Sequence, residues 1–278
     1  MVDLQKRYVE IEGVKTHYIE AGSGPVLILI HGGGSGADAW GNWRGCLEAY
    51  AQHFRVIAVD MPGFGESDRP DPKDFDYGQT MRNRHMAGFV ETIGAGKAVN
   101  LIGNSMGGAT ALGIAIERPE LVRKLVLMGA AGLDVSNPDP AAKKALGSYD
   151  YTPEGMRKLV SFLAGSRFEI SDEMVAYRHE LTMRPGARAA MGAIHNRLKE
   201  DPMTYPRERI SSVSCPTLVV GGKEDQVAVL ARTYGYLDLI PNSWGFILPH
   251  AGHWVMIEAP EAFVAVTTAF LNGPGFEA

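Results

Sequence analysis

Residues 101–110 read LIGNSMGGAT and place a serine among glycines at the end of an apolar run. Glycine weakens the interior of both strands and helices, so this concentration of glycines predicts a sharp turn. The segment Gly103-Asn104-Ser105-Met106-Gly107 fits the pattern G-x-S-x-G. Where a strand precedes that pattern and a helix follows it, the pattern is typical of a nucleophile elbow. The stretch therefore predicts a strand-to-helix turn that presents the hydroxyl of Ser105 as a nucleophile.

Short β-rich runs alternate with helical patterns on both sides of this stretch. Several of the runs are apolar without alternation, as in a parallel strand that is covered on both faces. The alternation predicts an α/β fold with a mostly parallel eight-stranded sheet and helices on both faces. The first two runs, joined at residues 12–14, predict an antiparallel hairpin at the sheet edge. The expected strands are residues 7–11, 16–21, 26–30, 55–60, 98–103, 124–129, 217–222 and 245–249, and helices are expected at 78–94, 105–118 and 260–271.

One section of the chain breaks this alternation. Residues 134–205 contain no convincing strand but three helical patterns, at 152–165, 171–183 and 185–200. The first opens with Thr152 as a capping residue and Pro153 at the first helical position. We expect a helical lid at 134–205, inserted between strands six and seven, and a core made of residues 1–133 and 206–278.

Composition and charge exclude several classes of protein. The 278 residues are 45% hydrophobic and 21% charged, with a formal net charge of -5. This balance is typical of a globular protein and provides no basic field for nucleic acid or anionic lipid. The start has no apolar signal core, and the apolar run at 26–30 is too short to span a bilayer. Cys46 and Cys215 lack metal-site spacing, so we expect two reduced thiols, no metal and a cytoplasmic protein.

A serine nucleophile needs a base and an orienting acid. In the chain order Ser, acid, His, the late His253 in the segment HAGHW is the expected base. His250 in the same segment is the nearby alternative. The expected acid is Asp225, after the strand at 217–222, and Asp134 is the alternative.

The segment HGGGSGA at residues 31–37 follows an expected strand. It resembles an oxyanion-hole loop, in which backbone N–H groups face the developing negative charge. We expect the N–H groups of Gly33 and Met106 to be those donors. A glycine-rich loop after a strand also suits phosphate binding, but this one lacks G-x-G-x-x-G spacing and a P-loop lysine. No nucleotide or other cofactor is therefore expected.

Together these residues resemble the α/β-hydrolase superfamily over nearly the full length. The segments HGGGSGADAWGNW, GNSMGGATALG and HAGHW, with Arg178, are similar to those of the meta-cleavage product hydrolases, above all the branch that acts on 6-aryl substrates. Dehalogenases and epoxide hydrolases carry an aspartate in place of Ser105, which disfavours them. The likeness is weakest in the lid. The segment DQVAVL after the expected acid also lacks the proline common in the family.

The resemblance implies a 2-hydroxy-6-oxohexa-2,4-dienoate substrate and assigns residues to its two ends. Arg178 is expected to pair with the substrate carboxylate in a bidentate fork. Asn42, Asn104 and Trp254 are expected to donate hydrogen bonds at the same polar end, and Gly32 and Gly34 to line it. The aryl end needs an apolar pocket, for which plain core packing is an equally good interpretation of the candidates. Those candidates are Leu133, Met156, Phe162, Leu163 and Val227.

The expected reaction is hydrolysis of the C5–C6 bond to give 2-hydroxypenta-2,4-dienoate and an aromatic acid. The resemblance also implies a homo-oligomer with a small-molecule substrate. Two alternatives stay open. One is a carboxylesterase or thioesterase with the same three residues, and the other is a ligand-binding sensor without catalytic activity.

Overall fold

The computed structural model describes residues 2–135, 137, 139 and 147–273. Eight strands form one sheet in the order β1-β2-β4-β3-β5-β6-β7-β8. Strands β3 to β8 pair in parallel, whereas β2 pairs antiparallel with both β1 and β4. The strands are β1 Gln5–Ile11, β2 Val14–Ala21, β3 Val26–Ile30, β4 Arg55–Val59, β5 Val99–Asn104, β6 Val122–Met128, β7 Thr217–Gly222 and β8 Ser243–Leu248.

The predicted α/β class, the eight strands and the edge hairpin are confirmed. Every residue of β5 and β7 is buried, which explains their continuous apolar character. The edge strand β1 is mostly exposed and correspondingly polar. Because β5 lies between β3 and β6, the turn after β5 has a loop on each side of it.

Helices cover both faces of this sheet. Four of them were not among the helices expected from the sequence, and these lie at Ala39–Tyr50, Arg207–Ser211, Leu230–Leu239 and Val255–Glu258. The helices are α1 Ala39–Tyr50, α2 Gln79–Gly94, α3 Met106–Glu117, α4 Pro153–Leu163, α5 Asp172–Met183, α6 Ala187–Arg197, α7 Arg207–Ser211, α8 Leu230–Leu239, α9 Val255–Glu258 and α10 Pro260–Asn272. A short 3-10 turn at Pro119–Leu121 leads into β6.

Alternate residues of the strands enter two separate cores. On one face, Ile28 packs in a cluster with Phe89 of α2 and Leu112 of α3. On the other face, Leu27 packs in a cluster with Trp43 of α1. Burial of such side chains stabilises the fold by about 25 cal/mol per Å² of apolar surface. The sheet is therefore packed on both faces, and the loops that follow its strands start from buried positions.

Helices α4, α5 and α6 lie between β6 and β7 in the chain, where the lid was expected. Thr152 caps α4 by accepting from the N–H of Gly155, and Ser171 caps α5 by accepting from the N–H of Met174. The bounds 134 and 205 stay a prediction, and part of the segment after 134 lies outside the described residues. Within the part of the chain that is described, no helix is long and apolar enough to cross a membrane.

Candidate active site

Ser105 forms the turn between β5 and α3, with φ at +53° and ψ at -115°. A positive φ strains a residue other than glycine, and such strain concentrates at functional sites. A Cβ on Gly103 would lie 2.3 Å from the carbonyl oxygen of Gly107, and one on Gly107 would lie 2.4 Å from that of His31. The two glycines are therefore required by the close approach of strand and helix, as the G-x-S-x-G pattern predicted.

His253 and Asp225 form a buried pair in the loops after β8 and β7. The Nδ1 atom of His253 lies 2.8 Å from Oδ2 of Asp225, and the residues are 3% and 6% exposed. The other carboxylate oxygen accepts from the N–H groups of Val227 and Ala228, at 2.7 and 2.8 Å. Burial by itself raises the pKa of Asp225, but His253 and these donors outweigh it, so the pKa lies below its usual value. The carboxylate stays ionised and orients the imidazole.

The hydroxyl of Ser105 and the imidazole of His253 line the same cavity. Among the described residues, the hydroxyl of Ser105 makes no hydrogen bond to the imidazole of His253. Catalytic hydrogen bonds are often long without substrate and tighten when it binds. Gly129 lies directly behind the imidazole, since a Cβ there would be 3.1 Å from its Nδ1 atom.

The two alternative residues lie elsewhere. His250 is exposed, and its Nδ1 atom lies 3.3 Å from a carboxylate oxygen of Glu224. Asp134 is exposed at the cavity and makes no hydrogen bond to His253. The geometry therefore brings together Asp225 and His253, the first choices from the sequence.

Gly33 and Met106 lie against each other at the cavity wall. A Cβ on Gly33 would lie 2.5 Å from the sulfur of Met106. Within the described residues, neither backbone N–H donates a hydrogen bond. Met106 is the first residue of α3, where N–H groups lack helical partners. Both donors are therefore available to an oxygen atom in the cavity.

His31 holds the glycine loop in place, a role that sequence reasoning missed. Its Nε2 atom accepts from the N–H of Met61 at 3.0 Å, so Nδ1 carries the proton and donates to the carbonyl of Gly32 at 2.6 Å. Burial lowers the pKa of His31 and keeps this tautomer neutral. The sequence did contain a signal for this role, because His31 stands between the end of a strand and the three glycines of the loop.

Arg178 of α5 reaches from the lid into the cavity. It is 3% exposed, donates from Nη2 to the carbonyl of Ser35 at 2.9 Å, and lies 4.6 Å above the ring of Trp254. Its Nε is buried without a hydrogen-bond partner. Among the described residues no carboxylate lies within ion-pair distance of it, and the negative charge of Asp38 acts on it only from farther away. Burial lowers its pKa to about 10, so the guanidinium remains charged at neutral pH. A buried cation that no carboxylate contacts directly is a site for an anion.

Asn42 and Asn104 line the same cavity as this arginine. Asn42 donates to Oδ1 of Asn104 at 3.1 Å, and Asn104 donates to the carbonyl of Met128 at 3.2 Å. The Oδ1 atom of Asn42 is buried without a partner. A buried unsatisfied oxygen is costly, so it favours a ligand that donates a hydrogen bond there.

Asp38 and Tyr177 connect the lid to the glycine loop. The hydroxyl of Tyr177 donates to Asp38, which also caps α1 by accepting from the N–H of Gly41 at 2.7 Å. Burial, with the negative charge of Asp60 added to it, raises the pKa of Asp38 to about 6. Neither residue was expected from the sequence, since a capping aspartate and a helix tyrosine are common in any fold.

These residues surround a cavity of about 620 Å³ between the sheet and the lid. This size suits a drug-sized ligand. The expected residues of the oxyanion hole and of the carboxylate end line it together with the nucleophile and the base, whereas Asp225 lies behind His253 and does not: Gly32, Gly33, Gly34, Asn42, Asn104, Ser105, Met106, Arg178, His253 and Trp254. Of the expected apolar residues, Leu133, Leu163 and Val227 line it as well. No sequence pattern predicted the further lining residues, which include Tyr149, Leu159, Met191, Ile194, Leu198 and Met203.

Two expected lining residues require correction. Met156 is fully buried in the core that contains Trp43, away from the cavity. Phe162 is partly exposed and does not line the cavity. Leu159 and Leu163, four positions apart, form the face of α4 that meets the cavity. Tertiary packing determines which face of α4 is turned toward the cavity. The helical pattern in the sequence does not predict that face.

Residues 27–266 match the family model described as the alpha/beta hydrolase family, and the chain belongs to this family. The named relatives of this chain belong to a narrower group within the family. The chain is 44% identical over 268 residues to the 2-hydroxy-6-oxo-6-(2'-aminophenyl)hexa-2,4-dienoic acid hydrolase of Metapseudomonas resinovorans, across 96% of this chain and 91% of the relative. It is 34% identical to the 2-hydroxy-6-oxo-2,4-heptadienoate hydrolase of Pseudomonas putida, across 95% of each.

Solved structures agree with these relatives. A serine hydrolase involved in carbazole degradation superimposes with a TM-score of 0.88 at 44% identity, covering 97% of this chain and 99% of that one. A meta-cleavage product hydrolase from Pseudomonas fluorescens superimposes with a TM-score of 0.89 at 31% identity, covering 96% and 97%. The predicted resemblance to carbon–carbon bond hydrolases of the meta-cleavage type is thereby confirmed.

Proposed function

We propose that this protein hydrolyses the C5–C6 bond of a 2-hydroxy-6-oxo-6-arylhexa-2,4-dienoate. The products are 2-hydroxypenta-2,4-dienoate and an aromatic acid. The observation that carries this proposal is Arg178, a buried cation that no carboxylate of the described residues contacts directly, in the cavity that also contains Ser105. A carboxylesterase has no need of such a cation, whereas a dienoate presents a carboxylate to it.

The polar residues fit the substrate's first two carbon atoms. Arg178 binds the C1 carboxylate, and the indole N–H of Trp254, which donates only, suits the same anion. The unpartnered oxygen of Asn42 suits the 2-hydroxyl group, which donates. The substrate is thereby held at one end, which positions its C6 carbonyl relative to Ser105.

The first chemical stage is conversion of the dienol to its 2-oxo tautomer. The 2-hydroxyl group loses its proton, C2 becomes a ketone, and C5 gains a proton. We assign His253 as the group that carries this proton, because Asp225 orients its ring and stabilises its charged form. This stage is necessary because the dienol offers the electrons of the C5–C6 bond no acceptor.

In the second stage, Ser105 attacks the C6 ketone while His253 takes the hydroxyl proton. The N–H groups of Gly33 and Met106 stabilise the oxyanion. When the C5–C6 bond breaks, its electrons move through the C3–C4 double bond onto the C2 oxygen, and that oxygen takes a proton. The aryl-acyl group stays on Ser105 until water attacks it and releases the aromatic acid. One water molecule is consumed in all.

The test mixes the purified protein with a 6-phenyl dienoate and follows the loss of its visible absorbance. We expect benzoate and the pentadienoate to appear in equal amounts. A p-nitrophenyl ester serves as the comparison substrate. Turnover of the ester far above that of the dienoate would favour a carboxylesterase or thioesterase. Binding of the dienoate without products after long incubation would favour a sensor.

We propose further that the protein acts in the cytoplasm as a homo-oligomer. The support is the family resemblance and two unpaired cysteines, Cys46 and Cys215. Light scattering coupled to size-exclusion chromatography measures the assembly directly, and a mass of a single chain at micromolar concentration would contradict it. Fractionation of the native cells tests the location.

A further inference from the structure

A second arginine, Arg232 of α8, lines the cavity. It is half-buried and donates from Nη2 to the carbonyl of Val135 at 2.8 Å. Its Nε is buried without a hydrogen-bond partner. Among the described residues, no carboxylate lies within ion-pair distance of it. The wall that the sequence predicted to be apolar therefore contains a cation.

The order of the strands places the two arginines on opposite sides of Ser105. Ser105 follows β5, which lies between β3 and β6. Arg178 bonds to Ser35 in the loop after β3, and Arg232 bonds to Val135 in the loop after β6. The carbonyl oxygen of Ser105 accepts from the N–H of Ala131 at 3.0 Å, so the loop after β6 lies directly beside the nucleophile.

This placement fixes which part of the substrate each arginine meets. With the carboxylate on Arg178 and C6 at Ser105, the group attached to C6 extends toward Arg232. We propose that Arg232 forms a polar subsite that binds a hydroxyl substituent on the aryl ring at C6. This assignment rests on the proposed function and adds a substrate preference to it.

The surroundings of Arg232 favour a neutral substituent over an anionic one. Asp134, one residue before the carbonyl that Arg232 holds, also lines the cavity. A carboxylate on the ring would be repelled by Asp134. A neutral hydroxyl group can accept a hydrogen bond from Arg232 and is not repelled. Leu133 and Ile194 line the cavity too and offer apolar contact to the ring itself. The ring thus packs on apolar side chains and presents its hydroxyl group to the guanidinium.

The experiment measures kcat/KM for the 6-phenyl dienoate and for its 2'-, 3'- and 4'-hydroxyphenyl analogues. Because hydrogen bonds to charged groups are strong, we expect the wild type to prefer the best hydroxylated substrate by about tenfold. Arg232→Met should bring the ratio of kcat/KM for the hydroxylated substrate to kcat/KM for the phenyl substrate down to about one, whatever its effect on the phenyl rate itself. Arg232→Lys should keep part of the preference. Arg207→Met, at an exposed arginine away from the cavity, is the matched control and should change neither rate.

Equal preference in wild type and Arg232→Met would overturn the subsite. So would an equal loss on all four substrates, which would mean that Arg232 only supports the loop at Val135. Calorimetry with hydroxybenzoates and benzoate gives the same comparison without turnover. A wild type that leaves every dienoate intact would refute the proposed function, and the binding ratio in the two proteins would still decide on Arg232.

Discussion

The cavity is built from two regions that differ in kind. The sheet region contributes Ser105, Asp225 and His253, all from loops that follow parallel strands. The lid region contributes Arg178, from a helix inserted between β6 and β7. The first region holds groups that suit the hydrolysis of many carbonyl compounds. The second adds a buried cation that only an anionic ligand requires.

The difference suggests that chemistry and substrate choice are separable in this protein. The regions meet at the loop after β3, which approaches Arg178 closely. A Cβ on Gly36 would lie 2.3 Å from the carbonyl oxygen of Arg178, and Ser35 accepts from its guanidinium. This loop also contains Gly33, so a displacement of α5 would also displace one of the expected oxyanion donors. Substitutions in the two regions should thus have distinct signatures on a dienoate and on a neutral ester.

The largest effect is expected for Ser105→Ala in the sheet region. Removing the attacking hydroxyl should lower kcat by several orders of magnitude on dienoate and ester alike, while dienoate binding persists. Single-turnover absorbance and equilibrium binding measure the two quantities. Ser212→Ala, at an exposed serine, is the matched control. A Ser105→Ala protein with a tenth of wild-type turnover would exclude Ser105 as the nucleophile.

Asp225→Asn should rank second and should also affect both substrates. The amide cannot stabilise the charged imidazole and favours the wrong tautomer, so kcat should fall by about 10²- to 10⁴-fold. Asp134→Asn is the internal control because Asp134 was the alternative acid. If Asp134→Asn is the damaged variant and Asp225→Asn is active, the assignment of the acid is reversed.

Arg178→Gln tests the lid region and should separate the two substrates. A charge-assisted hydrogen bond contributes about 1.5–3 kcal/mol, so kcat/KM for the dienoate should fall by about ten- to a hundredfold or more. The neutral ester should hardly respond. Arg188→Gln, at an exposed arginine on α6, is the matched control. Equal losses on both substrates would mean a destabilised lid and would remove the carboxylate assignment.

The sheet region was far more predictable from the sequence than the lid. Parallel strands buried on both faces leave a continuous apolar signal, and the turn at Ser105 needs glycines at fixed positions. The lid helices were also predicted, since their caps are local signals. Which of their side chains reach the cavity was not, as Met156 and Phe162 show. That outcome depends on how α4 packs on the core. The packing joins segments more than 100 residues apart, since Met156 belongs to the same buried cluster as Trp43.

Arg232 illustrates the same limit. A helix arginine carries no sequence signal that separates a cavity wall from a solvated surface. Its importance emerges only from two tertiary facts, the bond to Val135 and the place of that loop beside Ser105. Asp38 is a further case, since its burial and its contact with Tyr177 depend on where α5 comes to rest.

Asp38→Asn probes the contact between the two regions and should have the smallest effect on activity. The asparagine keeps an oxygen for the N–H of Gly41 and a polar group for Tyr177, so kcat/KM near neutral pH should change less than threefold. The effect should appear in stability instead. In the folded protein the pKa of Asp38 is about 6, against an ordinary value of 3.8. The folded state therefore binds the proton more tightly than the unfolded chain does.

The sign of the pH dependence follows from this difference. As the pH rises from about 4 to about 6, the unfolded chain ionises at this position while the folded protein stays protonated, so the wild type loses stability relative to Asp38→Asn. The loss amounts to at most about 3 kcal/mol and stops changing above the folded pKa, because both states are then ionised. Urea unfolding of both proteins at several pH values measures it, with Asp238→Asn as the exposed control. If the difference in unfolding free energy between wild type and Asp38→Asn stays constant with pH, the folded protein does not raise the pKa of Asp38. Ionisation of Asp38 at the boundary between the lid and the sheet region would then not destabilise the fold.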